Sequence, residues 1–381
     1  MRSAVAAALA FACLAAGFDS AHAQIIDAAQ AQTSDKRAVA SPREKYREQV
    51  NENVLYLMGG QLGAAYVVIA HDISVVVNDG DNLRVLPVIG GAAVQNLRDV
   101  VFLRGIDLGV TNLLTLNQMK ASGELGANLD KQVAYITPLF PEALQILVRP
   151  GIDKIEDLKG KKVSFNSKGS GTAQFAPVVF KTLGVNVEEL FMPQADAIEK
   201  MRSGEIEATV CTCPIPIPTF PNVKQEWGFK LLPVPYTQAL EENYYPARIA
   251  SEDYPNLIPK DTSIETIATS SVLISFNWQP GSIRYNRIAR FVDAMFSKFA
   301  DFRKPPRHPL WHSVNLAGTV RGWQRFPAAQ EWLDKVNQGQ TAALRTNFTR
   351  FLGEKQAPDR DTAATQEKLF QNFLEWTRNK K

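Results

Sequence analysis

The sequence predicts an α/β fold divided into two lobes, and three observations predict it. Strand-like and helix-like segments alternate along residues 54–111 and again along residues 144–211, an order typical of parallel sheets covered by helices. A cluster of prolines within residues 214–221 then interrupts regular structure. A β-rich segment at 264–276 follows, and we expect it to return to the first block, so that two segments cross between the lobes.

In the first block, aliphatic runs predict strands at 54–58, 84–89 and 108–111, and apolar residues at helical spacing predict helices at 65–77 and 94–102. Glycine or polar turns follow these strands. In a parallel sheet such turns lie beyond the carboxyl ends of the strands, which is where ligands bind. The first block is therefore expected to carry one wall of a ligand site.

The second block repeats this alternation and leads into a helical tail. Its predicted helices end near 183 and run over 195–203, and helical spacing in 288–299 and 369–376 predicts the helices of the tail. The predicted strands lie at 144–149, 163–166, 189–192, 208–211 and 230–234.

The expected division of the chain follows from this order. Residues 51–143 begin lobe 1, residues 144–263 form lobe 2, and residues 264–381 return to lobe 1 and continue as the tail. A chain of 381 residues with 45% hydrophobic content can bury a core of this size. Two α/β lobes with glycine and hydroxyl turns facing one cleft are typical of a protein that closes on its ligand about a hinge.

The first residues have the pattern of a secretory signal peptide. Residues 1–23 combine Arg2, an apolar run and the small-residue sequence Ala-His-Ala before Gln24, which predicts cleavage there and export to the periplasm. Residues 24–50 are polar and rich in Ala, Gln and charged residues, so we expect a flexible leader with at most one helical turn. No later stretch has the length and apolar character of a membrane span.

Charge and motifs exclude several classes of function. Lys and Arg total 42 against 39 Asp and Glu, without a basic stripe, so nucleic acid is not an expected partner. The sequence lacks the G-x-S-x-G nucleophile turn, the phosphate-binding loop, the HExxH motif and the EF-hand pattern. We therefore predict a binding protein that is not an enzyme and needs no cofactor.

The turn Ser170-Gly171-Thr172 is the strongest candidate for ligand contact. It follows a short strand and opens an apolar helix, so the free N–H groups and positive end of that helix could hold an anionic oxygen. The alternative is that Ser170 or Thr172 is only a helix cap. Lys168 beside the turn could pair with a carboxylate or could simply be solvated, and Tyr66 on lobe 1 could contact the ligand or belong to the core.

The candidate ligand-binding residues come from both lobes, because closure requires ligand contacts to each. They are Gly60, Gln61, Tyr66, Gly91, Thr111 and Asn112 from lobe 1, and Lys168, Ser170, Gly171, Thr172, Cys213 and Pro214 from lobe 2.

Cys211 and Cys213 are the cysteines that remain after cleavage of the signal peptide. A C-x-C pair can bind a soft metal or form a disulfide, but no His is adjacent and no further Cys remains to complete a metal site. We therefore expect no metal, and expect thiols that line the pocket or are partly buried, with oxidation to each other after export as a further possibility.

Four sequence blocks, in this order and spacing, resemble a known family. The blocks read G-G-Q-L-G-A-A-Y at 59–66, I-G-G-A-A-V-Q-N-L at 89–97, L-K-G-K-K-V leading to G-S-G-T at 158–172, and S-G-E-I-E-A at 203–208. They resemble the TAXI branch of the solute-binding subunits of tripartite ATP-independent periplasmic (TRAP) transporters. The resemblance implies the type II periplasmic binding protein fold, a carboxylate or other small organic anion as ligand, and membrane subunits as partners of a monomer.

Three departures from that family concern the first lobe. The family has Thr-Tyr where this chain has Ala64-Ala65, a Ser where it has Ala92, and Ser-Asp in place of the residues from Thr111. The lost hydrogen-bonding groups indicate a ligand different from the usual one. Two other functions stay open, namely delivery of a sulfonate-type or pyrimidine-type ligand to an ATP-driven importer, and ligand sensing for a membrane receptor.

Overall fold

The computed structural model describes residues 41–61 and 64–354, with the side chains of 341–354 left undescribed. The signal-peptide pattern, most of the leader and the tail helix predicted at 369–376 therefore lie outside the described residues. Within the described part of the chain, no helix combines the length and apolar character needed to cross a membrane.

Helix α1, Pro42–Glu52, occupies the end of the predicted leader. Its start is a capping box, in which the Glu44 N–H donates to Ser41 Oγ at 3.2 Å and the Ser41 N–H donates to Glu44 Oε2 at 2.8 Å. Two otherwise unpaired N–H groups are satisfied in this way. Residues 42–50, predicted to belong to a flexible leader, are thus helical.

The described strands form one mixed sheet with the order β2-β1-β3-β10-β4-β7-β5-β6, while β8 pairs with β4 and β9 pairs with β10. The strands are β1 Val54–Gly60, β2 Arg84–Ile89, β3 Leu108–Asn112, β4 Val133–Val148, β5 Lys162–Ser164, β6 Glu188–Leu190, β7 Ala208–Cys213, β8 Lys230–Leu231, β9 Tyr245–Ala250 and β10 Ser263–Phe276.

Helices cover both halves of this sheet. They are α2 Ala65–Val77, α3 Ala93–Phe102, α4 Leu113–Ser122, α5 Leu129–Gln132, α6 Gly171–Thr182, α7 Gln194–Ser203, α8 Ile283–Ser297, α9 Phe299–Phe302 and α10 Pro327–Glu354. Single 3-10 turns lie at Ile155–Leu158, Phe220–Asn222, Gln225–Trp227, Gln238–Leu240 and Pro309–Ser313.

Each half of the sheet has parallel strands, as the alternating pattern predicts. In lobe 1, β1 pairs in parallel with β2 and β3. In lobe 2, β5 pairs in parallel with β6 and β7. The helices between these strands place apolar faces against the sheet, so a separate core cluster forms on each half.

Strands β4 and β10 join the two halves. Each is antiparallel to its neighbours. β10 pairs with β3 of lobe 1 at one end and with β9 of lobe 2 at the other, while β4 pairs with β10 along its first part and with β7 of lobe 2 along its last part. The α/β architecture with two crossing strands is confirmed. β10, which includes the predicted segment 264–276, pairs with β3 of the first block.

The sequence-based strand at 144–149 was too short. β4 begins at Val133, although Pro138 and Pro141 interrupt its pattern. The pairing with β10 shifts register next to these prolines, and such irregularities let a strand accommodate residues that lack an N–H. The strand predicted at 230–234 is shorter than expected, because Pro233, which lacks an N–H, comes two residues after the end of β8 at Leu231. The sequence analysis missed β9.

Candidate functional site

Glu142 lies on β4 where the two halves of the sheet meet, and only 5% of it is exposed. Its Oε1 accepts a hydrogen bond from the Tyr66 hydroxyl at 2.5 Å, and its Oε2 accepts one from Asn112 Nδ2 at 3.2 Å. Both donors are neutral. Among the described residues, Lys, Arg and His form no ion pair with this carboxyl group. The molecule therefore buries a carboxyl group without a compensating positive charge.

Local structure holds both donors in place. Asn112 is the N-cap of α4, and its Oδ1 accepts from the Thr115 N–H at 2.9 Å, which orients Nδ2 toward Glu142. Tyr66 lies in the first turn of α2, and its ring packs near Phe140 with a centroid distance of 6.2 Å. Tyr66 thus combines the two roles considered from sequence, since its ring adjoins the core and its hydroxyl reaches the candidate site.

Burial dominates the electrostatics of this group. Desolvation raises the pKa of Glu142 from 4.5 to about 7, and the hydrogen bonds from Tyr66 and Asn112 partly oppose this rise. Desolvation and the nearby Glu142 carboxylate also raise the pKa of Tyr66 and of Tyr244. A carboxyl group with this pKa exchanges a proton near neutral pH.

Two buried hydroxyl groups on neighbouring strands share the sheet face of Glu142. Thr269 on β10 pairs directly with Glu142, and Thr212 on β7 pairs with Leu144, two residues further along β4. Side chains of paired residues project from the same face, and so do residues two apart on a strand. Both Thr269 Oγ1 and Thr212 Oγ1 are buried without a hydrogen-bond partner.

Helix α6 covers this same face of lobe 2. Its residue Phe175 packs in one cluster with Leu144 and Ile267, the residues two positions from Glu142 and Thr269 along their strands. The helix starts beyond the carboxyl end of β5 and beside β7, where the Thr212 N–H donates to Thr172 Oγ1 at 2.9 Å. The predicted turn at 170–172 therefore lies at the end of the face that carries Glu142.

Within that turn the hydroxyl groups have structural partners. Ser170 is the N-cap of α6, and its Oγ accepts from the Ala173 N–H at 3.1 Å, which is the capping role considered from sequence. Thr172 is buried and joins α6 to β7. A Cβ atom added at Gly171 would meet nothing within 4 Å, so the space above this backbone is open. Lys168 is exposed.

The glycine turns of lobe 1 lie against one another. The Gly90 N–H donates to the Gly60 carbonyl at 2.9 Å. Gly60 has a φ of +100°, and a Cβ there would approach the Gly91 carbonyl at 3.2 Å and Tyr66 Cβ at 3.4 Å. The structure thus brings Gly60, Gly91 and Tyr66 together, and Tyr66 connects them with Asn112.

The remaining predicted residues lie close to Glu142 or on the opposite face of the sheet. Gln61 is exposed next to the undescribed residues 62–63, and the Thr111 hydroxyl donates to the Ala93 carbonyl at 3.1 Å. Cys211 and Cys213 form a disulfide. Both pack with the cluster on the α7 side of the sheet, so they project from the face opposite Glu142. Gln145 Nε2 donates to the carbonyls of Cys213 and Pro214.

Metal binding has no candidate here. In the described ranges, no group of three or more His, Cys, Asp or Glu residues is arranged to hold an ion.

The family of the chain is shown by its sequence. The profile of the NMT1-like family matches residues 53–307, well over half of the chain. The chain belongs to the NMT1-like family. Proteins of this family bind substrates and are not enzymes, so the prediction of a non-enzymatic binding protein is confirmed.

Solved structures with some similarity to this NMT1-like protein include SsuA, the periplasmic aliphatic sulphonate binding protein of Escherichia coli. The identity is 18%, with 81% of this chain and 89% of that chain covered and a TM-score of 0.39. The periplasmic binding protein BugD is 11% identical over 77% of this chain and 97% of its own, with a TM-score of 0.47. A TctC solute binding protein from Polaromonas is 16% identical over 64% and 88%, with a TM-score of 0.38.

Sequence reasoning missed the centre of this candidate site. Glu142, Thr212 and Thr269 were not among the predicted residues. The sequence did contain a signal for Glu142, which is the one charged residue in the run L-F-P-E-A-L-Q-I-L-V at 139–148. Burying a lone carboxylate in a strand is energetically unfavourable, so its presence there indicates a functional role. Thr212 and Thr269 carried no such signal, because hydroxyl residues are common in strands.

Proposed function

We propose that this NMT1-like protein is a periplasmic solute-binding protein that captures a small organic anion, in the first place a carboxylate, by closing its two lobes about β4 and β10. One observation carries the proposal. Polar groups of lobe 1 (Tyr66 and Asn112), of the crossing strands (Glu142) and of the α6 start in lobe 2 meet along one face of the sheet. A ligand bound there would contact both lobes and stabilise the closed state.

The anionic part of the ligand is assigned to the start of α6. The first N–H groups of a helix lack intrahelical partners and carry a partial positive charge, and Gly171 leaves their approach open. Exposed Lys168 adds a positive charge to the same loop. These features support a carboxylate oxygen at this turn.

Export and partners are inferred from the sequence. The signal-peptide pattern of residues 1–23 supports a periplasmic location. The four blocks that resemble the TAXI branch support delivery of the ligand by a monomer to the membrane subunits of a TRAP transporter.

A thermal-shift screen of the mature protein tests the binding function. A ligand at a hundred times its dissociation constant adds about 2.7 kcal/mol to the free energy of unfolding. We expect small carboxylates to raise the melting temperature. Stabilisation by sulfonates or pyrimidines alone would instead assign the protein to an ATP-driven importer, and no stabilisation by any small acid would contradict the proposal.

The variant Gly171→Ala tests the turn. The ligand-free protein should tolerate the added methyl group, because Cβ meets no atom within 4 Å, whereas a ligand oxygen on these N–H groups would lose room. We expect affinity for the best carboxylate to fall about tenfold with the ligand-free stability kept. Gly339→Ala, also in open space but on the exposed face of α10, is the matched control and should bind like the wild type.

A further inference from the structure

Three polar groups on the Glu142 face lack the partners that burial requires. Glu142 has neutral donors and no counter-charge, and the hydroxyls of Thr269 and Thr212 have no hydrogen-bond partner. Thr269 is fully buried. A buried charge without a partner and a buried hydroxyl without a hydrogen bond are each unfavourable, and such unsatisfied groups in one place indicate that a further polar group belongs between them.

The strand register places these groups around one point. Thr269 is directly opposite Glu142 across β10 and β4, so their Cβ atoms are about 5 Å apart. Thr212 is diagonal to Glu142 across β7 and β4, at about 7 to 8 Å. All three side chains project from the face covered by α6. One small group between them could reach a carboxylate oxygen and two hydroxyl oxygens.

The chemistry of these three groups favours a cationic nitrogen. A carboxylate accepts hydrogen bonds and carries the negative charge that has no counterpart here, while each hydroxyl can accept a hydrogen bond. An ammonium group supplies one positive charge and three N–H donors. A second anion would instead face the carboxylate at close range, and like charges repel strongly in a buried site.

We propose that Glu142, Thr269 and Thr212 form a subsite for a positively charged nitrogen of the ligand. The inference rests on the proposed function and deepens it. With the carboxylate at the α6 start, the ligand would be a small compound that carries both an ammonium and a carboxylate group. Tyr66 and Asn112 would hold the Glu142 carboxyl in position for it.

Pairs of probes that differ by the amino group test this subsite. Alanine with propionate, aspartate with succinate and 4-aminobutyrate with butyrate are compared by thermal shift and calorimetric titration. We expect an amino member to bind at least tenfold more tightly than its desamino partner. Binding of desamino acids with equal or higher affinity would overturn the subsite and leave the proposed function standing, whereas no binding by either set would contradict both.

The sign of the pH dependence gives a second, independent readout. A cation binds ionised Glu142, and burial places the pKa of this group at about 7, so affinity for the best amino probe should rise about tenfold from pH 6 to pH 8. The titratable groups that face Glu142 are Tyr66 on α2 and Tyr244 and Tyr245 beside β10, and their pKa values are raised, so they do not titrate in this range. Affinity that falls as pH rises would overturn the proposal.

Two variants distinguish a loss of ligand binding at the subsite from a loss of folding stability. Glu142→Gln keeps the shape but removes the charge and replaces one acceptor oxygen with an N–H donor, so we expect at least a tenfold loss of affinity at pH 8 and no pH dependence. Thr269→Val removes an unsatisfied hydroxyl, so the ligand-free protein should keep its stability while affinity falls about tenfold. Exposed Glu188→Gln on β6 is the control. Wild-type affinity in both folded variants would show that a water, and no ligand nitrogen, occupies the position.

Discussion

At the scale of single residues, Glu142 is a buried carboxyl group whose raised pKa makes the stability of this NMT1-like protein depend on pH. Its environment holds the proton, because burial disfavours the charged form more than two neutral hydrogen bonds favour it. Its role could not be derived from the sequence. Whether a buried glutamate is tolerated in a strand depends on the side chains that surround it. Here the surrounding donors, Tyr66 and Asn112, come from other elements of the chain.

We expect the stability of the ligand-free protein to fall as pH rises from about 4.5 to about 7. In this interval the native state keeps the Glu142 proton while the unfolded state has released it, so the unfolded state binds fewer protons. The total loss is about 3 kcal/mol of the free energy of unfolding. Urea denaturation of the wild type and of Glu142→Gln at pH 5 and pH 8 measures it.

Comparing the wild type with Glu142→Gln cancels the contribution of the other titratable groups to the pH dependence of stability. Glu142→Gln should gain about 3 kcal/mol on the wild type between pH 5 and pH 8, because the amide does not titrate. Parallel pH profiles would show that Glu142 has an ordinary pKa and is solvated.

At the scale of elements, one buried aspartate attaches the segment after α9 to α2. Asp72 Oδ2 accepts from the His308 N–H at 2.8 Å and from Trp311 Nε1 at 3.0 Å, and its Oδ1 pairs with Arg307 at 3.1 Å. Trp311 is fully buried against Phe302, with ring centroids 4.3 Å apart. This part of the tail therefore belongs to the core of lobe 1.

The variant Asp72→Ala should lower the free energy of unfolding by about 3 kcal/mol, because it leaves one buried and two partly buried donors, one of them charged, without an acceptor. The urea midpoint measures the loss. Asp293→Ala, on the exposed side of α8, should change stability by less than about 0.5 kcal/mol. Equal midpoints for the two variants would contradict an anchoring role for Asp72.

Local pattern predicted some elements well and others poorly. Helix α2 and strand β2 have the predicted bounds, because apolar spacing and neighbouring turns mark both ends. β4 was predicted only in its last five residues, and β9 was missed. Both depend on long-range pairing with β10, since a strand with prolines or few apolar residues forms only where a partner strand is in place.

At the scale of the whole molecule, α4 bridges the two halves. Asn117 on α4 donates to Asn243 Oδ1 of lobe 2 at 2.9 Å and accepts from Trp323 Nε1 of the tail at 2.9 Å. On the next residue, Gln118 Oε1 accepts from Gln174 Nε2 of α6 at 3.0 Å. Leu114 of α4 packs into the lobe 2 core. The proposed opening of the lobes about β4 and β10 would break these contacts.

Asn117→Ala should therefore shift the population toward the open state. We expect a loss of about 1 kcal/mol, or about fivefold in ligand affinity, through faster dissociation. Stopped-flow experiments measure this change as the dissociation rate of the best ligand from the screen. Gln132→Ala, half-buried in the short helix α5, is the control, and equal dissociation rates would show that Asn117 has no part in closure.

The sequence by itself determined the α/β class, most strands and helices, and the return of the chain to its first lobe, because apolar periodicity and glycine turns are local signals. It also proposed Tyr66, Asn112 and the turn at Ser170 as ligand contacts. Only the tertiary structure decided which side chains lie next to one another at the candidate site. Strand register sets Thr269 opposite Glu142, and alternation along β7 turns Thr212 toward this face and Cys213 away from it. Register depends on pairing between segments far apart in the chain, and a shift of one residue would reverse every side chain.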